Sequence, residues 1–157
     1  MAERDPIYTA HAHVTGGRRN GHGRTSDGAL EVDLRAPVET GGNGGGTNPE
    51  QLFAVGYAAC FESALAGVAR RRREEASAED VAIDASVSLI PTAERGYKLG
   101  VELAVTLPSV TEPAEAEALV RAAHDLCPYS NATRGNIEVR LSANGRALDA
   151  HPSATAA

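Results

Sequence analysis

The stretch NPEQLFAVGYAACFESALAGVARRRR, from Asn48 to Arg73, decides the fold. Its first residues agree on a helix start. Asn48 can accept from a free amide as N-cap, Pro49 suits the first helical position, and Gln51 completes the spacing of a capping box. The pattern predicts one helix from Pro49 to about Arg73. Between Leu52 and Phe61 it is apolar or small on every side. A helix without a polar stripe is buried all round rather than laid on a surface, so this helix belongs at the centre of the protein. Gly56, Ala59 and Gly67 allow another backbone to come close. The four arginines that end it could suggest a nuclear signal or a nucleic-acid patch, but cations in a last turn also complement the helix dipole. A solvated helix end is the preferred reading.

On either side of this helix the period changes from helical to alternating. Upstream, Tyr8, Ala10, Ala12 and Val14 share one face, the turn-rich TGGRRNGHGRTSDG (15–28) follows, and Leu30, Val32 and Leu34 resume the alternation. A β meander is expected. The loop GGNGGG (41–46) lacks the lysine and hydroxyl spacing of a phosphate-binding loop and is read as a flexible hinge. Downstream, Val81 to Leu89 and Tyr97 to Leu107 alternate around IPTAERGY (90–97), as a hairpin would. A second helix opens near TEPAEAE (111–117), puts Leu119, Val120, Ala123, Leu126 and Cys127 on one stripe, and is ended by Pro128. Ile137, Val139 and Leu141 make a last strand, and residues 152–157 read as a loose tail. These elements predict one α+β domain over residues 1–157, with sheets around two central helices.

Composition excludes several function classes. A chain of 157 residues that is 42% hydrophobic can bury a core without cross-links. Only 4% is aromatic and Trp is absent, so Ala, Val and Leu must build that core. A net charge of −6 speaks against nucleic-acid partners, which demand a basic surface. The opening MAERDPIYTAHAHV lacks the cationic and apolar segments of a secretory signal, and no run reads as the 18 or more apolar residues of a membrane span. The expected setting is cytoplasmic, without a membrane partner, and the N-x-T sequon at Asn131 is then moot.

Two cysteines remain to be explained, Cys60 in the central helix and Cys127 at the end of the second. In a reducing compartment a lone pair is reactive or inert rather than a permanent cross-link. Taken separately, each reads as a small buried hydrophobe. Neither has the spacing of a zinc site, and His11 and His13 share a strand face with no third ligand nearby. A cysteine hydrolase using Cys60 with His124 as base needs no second thiol. Reactivity gains weight from the flanks, where Glu50 opens the buried helix and Arg18 stands in a glycine-rich turn. A cation near a thiol favours the nucleophilic thiolate, which at the ordinary pKa of about 8.5 is a few per cent of the total at neutral pH.

Three motifs, TGGR, GTNPEQLFAVGYAACF and CPYSNATRGN, occur in this order, and together the chain resembles the organic hydroperoxide resistance (Ohr) branch of the OsmC superfamily. The resemblance implies an intertwined α+β homodimer with antiparallel sheets and the cysteine helices at its centre. It implies protection against oxidative stress by thiol-dependent reduction of organic hydroperoxides to alcohols. No cofactor is bound, and a dihydrolipoyl group, as dihydrolipoamide or on a lipoylated protein, is the external reductant. Carried over by motif, Cys60 corresponds to the peroxidatic cysteine, Cys127 to the resolving one, Glu50 to the glutamate and Arg18 to the arginine of the site. The turn after Arg18 is longer than the family's usual one, which leaves Arg19 as the competing arginine. The apolar surroundings favour alkyl or lipid hydroperoxides over hydrogen peroxide. Other readings are a general OsmC-type peroxidase of broader range, the hydrolase, and a redox-sensing binding module.

Helix geometry adds one expectation. Glu50 and Cys60 stand ten positions apart, about 15 Å along a straight helix. Two copies of the helix packed antiparallel near Val55 would bring Glu50 of one chain toward Cys60 of the other. A homodimer with the thiols of one chain and the Arg18 and Glu50 pair of its partner in each site is therefore expected.

Overall fold

The computed structural model describes residues 5–72 and 80–149; the tail expected at 152–157 and the last arginine of the run, Arg73, lie outside them. The chain divides into two compact units, Met1–Leu52 and Phe53–Ala157.

The first unit holds β1 (Ala12–Thr15), α1 (Gly17–Asn20), β2 (Gly21–Thr25) and β3 (Glu31–Arg35). The strands form an antiparallel meander in the order β1-β2-β3. The meander matches expectation, but Tyr8 and Ala10 precede its first strand, and the stretch read as turns contains β2. The inward positions of β2 are Gly21 and Gly23, which carry no hydrophobic signal although their backbone is buried. After a 3-10 turn at Val38–Thr40 the glycine-rich loop is held by backbone bonds. Gly42 and Gly44 donate to Pro37 and Ala36 at 3.0 Å, and Thr47 N to Asp33 O and Arg35 N to Thr47 O at 2.9 Å. The expected hinge is therefore a pinned loop. At Gly42 a Cβ would stand 2.0 Å from the Ala36 carbonyl oxygen, so close approach rather than mobility requires the glycine.

Helix α2 runs from Pro49 to Arg72, and its first turn closes the first unit. The capping box forms as predicted: Gln51 N donates to Asn48 Oδ1 at 2.9 Å, and Asn48 N to Gln51 Oε1 at 3.1 Å. Two amides that the helix leaves without carbonyl partners are satisfied reciprocally.

The second unit contains the rest of α2, β4 (Ala82–Pro91), β5 (Tyr97–Thr106), α3 (Pro113–Leu126), α4 (Pro128–Thr133), β6 (Glu138–Ala143) and β7 (Arg146–Ala147). Its sheet has the order β4-β5-β6-β7. The β4–β5 hairpin is antiparallel as expected, whereas β6 runs parallel to β5, a correction to a purely antiparallel sheet. A parallel neighbour needs a long crossover, and α3 with α4 provides it. Tyr57, Phe61, Leu65 and Val68 of α2 share a core with Val101, Leu103 and Val105 of β5 and Leu119, Val120, Ala123 and Cys127 around α3.

Two expectations for α2 change. By length and composition the helix could cross a membrane, with a mean hydropathy of 1.6 over 18 residues; the core helix of a soluble protein passes the same test. It is also not covered all round by its own chain, since Val55 is 71% exposed and Ala59 is exposed too.

Candidate active site

In the second unit the two cysteines meet. The sulfurs of Cys60 and Cys127 lie 3.5 Å apart, with Cys127 donating, and both are free thiols. Local sequence explains the placement of Cys127. A residue before proline is driven out of the helical region, and Cys127 is extended (φ −65°, ψ 125°) between α3 and α4. Its amide closes α3 on Ala123 O at 2.8 Å and its carbonyl accepts from Asn131 N at 2.9 Å to open α4. Pro128 does end the second helix, and it also starts the next one at a position where its missing amide costs nothing.

Cys127 is buried, whereas Cys60 is partly exposed. Burial pushes the Cys60 thiol above its ordinary pKa, a hydrogen bond from the Tyr129 backbone pulls it partly back, and the Cys127 side chain adds to the rise. Three aromatic rings stand beside the pair, with Phe53, Tyr57 and Tyr129 centroids 5.6 to 5.8 Å apart. The Tyr129 ring lies over Gly56, where a Cβ would come 3.0 Å from its hydroxyl. The result is a thiol pair in apolar surroundings, placed so that an oxidant taking two electrons and two protons could join the sulfurs after a small movement, because a disulfide is about 2.05 Å long.

Beneath the pair is a buried polar network that the sequence reading missed. Tyr57 Oη bonds Ser130 Oγ and Thr133 Oγ1, each at 3.0 Å, and His124 Nδ1 bonds Ser130 Oγ at 2.9 Å. Burial raises the Tyr57 phenol, the first of several influences on it. The available signal was a hydroxyl-bearing Tyr57 inside an apolar run and a serine in CPYSN. His124, the base in the hydrolase reading, thus has its Nδ1 engaged with Ser130.

In the first unit Arg18 and Glu50 form an ion pair, Arg18 Nη2 to Glu50 Oε1 at 2.5 Å. Arg18 sits on the single helical turn α1, entered through Gly16 at φ 71°. A side chain at Gly16 would place Cβ 2.6 Å from the Asn20 carbonyl oxygen, so this tight turn demands glycine. Glu50 lies in the first turn of α2, where the dipole favours a carboxylate. Arg18 Nε is buried without a hydrogen-bond partner among the described residues. Arg19 is exposed; it is Arg18 that takes the carboxylate. Among the described residues no group of three or more His, Cys, Asp or Glu is placed to hold a metal ion.

Known proteins resemble this chain in fold and in sequence. The family model described as OsmC-like protein matches residues 41–142. The organic hydroperoxide resistance protein of Xanthomonas axonopodis pv. citri is 51% identical over 138 residues, covering 86% of this chain and 93% of the relative. The crystal structure of an organic hydroperoxide resistance protein from Legionella pneumophila superposes with a TM-score of 0.83 at 53% identity, over 88% of this chain and 98% of that one. That of OhrB from Bacillus subtilis gives 0.79 at 43% identity, over 87% and 98%. Sequence and fold agree, and the chain belongs to the OsmC-like family, in its organic hydroperoxide resistance branch.

Proposed function

We propose that this protein protects against oxidative stress by reducing organic hydroperoxides to alcohols with Cys60 as nucleophile and Cys127 as resolving thiol. The observation that carries the reading is the 3.5 Å separation of the two free sulfurs in apolar surroundings. The Cys60 thiolate attacks the outer peroxide oxygen, the O–O bond breaks, and the alkoxide takes a proton and leaves as the alcohol. Cys60 is then a sulfenic acid. Cys127 attacks its sulfur, water departs, and the Cys60–Cys127 disulfide forms before further oxidation. A dithiol reduces the disulfide by exchange. The sum is one hydroperoxide and one dithiol giving one alcohol, one water and one cyclic disulfide. A dihydrolipoyl group, free or carried on a protein, is the proposed dithiol, and no bound cofactor is required.

A thiol held up by burial needs a cation to ionise at neutral pH. The Arg18 guanidinium, oriented by Glu50, is the proposed source, and it would also stabilise the leaving oxygen. Because α2 is unbroken from Pro49 to Arg72, we propose that the pair acts on Cys60 of a partner chain in a homodimer, across the uncovered side of α2 around Val55. The reading places the enzyme in the cytoplasm, where thiols stay reduced. Alkyl or lipid hydroperoxides are the proposed substrates, since an apolar tail gains from burial near the aromatic rings.

The test is consumption of tert-butyl hydroperoxide with dihydrolipoamide, thioredoxin or glutathione systems in parallel. Steady turnover with dihydrolipoamide well above the other two is expected. Equal rates with all three, or one oxidation without turnover, would instead favour a general thiol peroxidase or a redox sensor.

A further inference from the structure

The buried network under the thiols is arranged about the cysteines themselves. Tyr57 stands three residues before Cys60 on α2, His124 three before Cys127 on α3, and Ser130 three after it on α4. One of these groups, Ser130 Oγ, bonds both of the others, at 3.0 Å from Tyr57 Oη and 2.9 Å from His124 Nδ1. Ser130 and Tyr57 have no solvent exposure, and His124 is 7% exposed. Thr133 adds a second tie to the Tyr57 hydroxyl at 3.0 Å, and Arg134 Nη2 donates to the His124 carbonyl at 2.9 Å. Helical neighbours three apart lie on one face, so these bonds fasten both helices flanking Cys127 to the turn of α2 that carries Cys60.

We infer that Tyr57 and Ser130 are positioning residues for the resolving step, holding Cys127 within reach of Cys60. Cys127 is the one non-helical residue between α3 and α4, and its sulfur follows whatever those helices do. Rigid placement of two reacting groups acts through effective concentration, and the sulfurs must close from 3.5 Å to about 2.05 Å. Removing either hydroxyl takes out a bond that ties α3 and α4 to α2, at 3.0 Å or 2.9 Å, and loosens this placement. The inference rests on Cys127 being the thiol that condenses with Cys60. It predicts slow disulfide formation and a sulfenic acid exposed for longer to a second peroxide.

The equilibrium of the reduced Cys60 and Cys127 pair with oxidised dithiothreitol, which yields the protein disulfide and reduced dithiothreitol, tests this without any peroxide. Two thiols on the protein are oxidised while the cyclic disulfide is reduced, so the readout does not depend on peroxidase activity. Tyr57→Phe and Ser130→Ala are expected to shift this equilibrium about tenfold or more toward the protein dithiol, and to raise the share of Cys60 sulfinic acid formed per peroxide. Val105→Ala, a core truncation on β5, controls for loss of stability and is expected to leave the equilibrium within about twofold. Where Ser130→Ala does not fold, Tyr57→Phe, which keeps the ring, carries the test. Both network variants within twofold of the parent, or Val105→Ala shifted as far as they are, would overturn the inference. A parent protein that forms the disulfide but consumes no hydroperoxide would leave the inference standing and defeat the peroxidase reading.

Discussion

Arg18 and Arg19 are adjacent and chemically identical, yet among the described residues it is Arg18 that holds a carboxylate. Arg18 lies 2.5 Å from Glu50 and Arg19 is exposed, because the Gly16 turn aims one side chain and releases the next. The Cys60 thiol is pushed up by burial, so without a cation its thiolate becomes abundant only at higher pH. Arg18→Ala should therefore move the pH midpoint of Cys60 alkylation by iodoacetamide upward and slow oxidation at neutral pH by about a hundredfold. Arg19→Ala should leave both near the parent values. A larger effect of Arg19→Ala would reassign the arginine. That Cys60 stands beside Cys127 and Arg18 beside Glu50 was foreshadowed in sequence, because each sits in a motif of distinctive neighbours. Ser130 and Tyr57 were not, because a buried hydroxyl network is defined by which helices meet, and neither residue type announces it.

The start of helix α2 was the most legible feature, since the Asn48 cap, Pro49 and Gln51 all mark it and the helix begins at Pro49; its expected end at Arg73 lies outside the described residues. What sequence could not give was β2, whose inward residues are glycines, and the parallel strand β6, whose partner is chosen by the crossover rather than by its own alternation. Sequence alone suggests a hinge at 41–46 because glycine signals both mobility and close approach, and the bonds around Gly42 and Gly44 distinguish them. The same helix carries a prediction about assembly. Val55 and Ala59 are exposed, and Glu50 and Cys60 are about 15 Å apart along the axis. Mixed refolding of inactive Cys60→Ser and Glu50→Ala chains should give heterodimers with one complete site and thus recover activity. Verified heterodimers without activity, or an active monomer in sedimentation, would mean that each site is built within one chain.

For the whole molecule, the proposed peroxidase activity accounts for two free thiols 3.5 Å apart among apolar side chains in a small acidic protein. The class, the hairpin and the proximity of the thiols follow from sequence and resemblance together, while the polar frame around Ser130 follows only from how the helices meet. The most direct measurement is a single turnover: the reduced protein meets one equivalent of cumene hydroperoxide with no reductant, and both protein mass and released alcohol are determined. The account predicts one alcohol per chain, loss of two hydrogens from the intact mass, and a peptide linked through Cys60 and Cys127. Cys127→Ser should release the same alcohol while Cys60 gains oxygen instead. Alcohol formed by Cys60→Ser, or an oxidised parent protein in which Cys127 remains a free thiol, would contradict it.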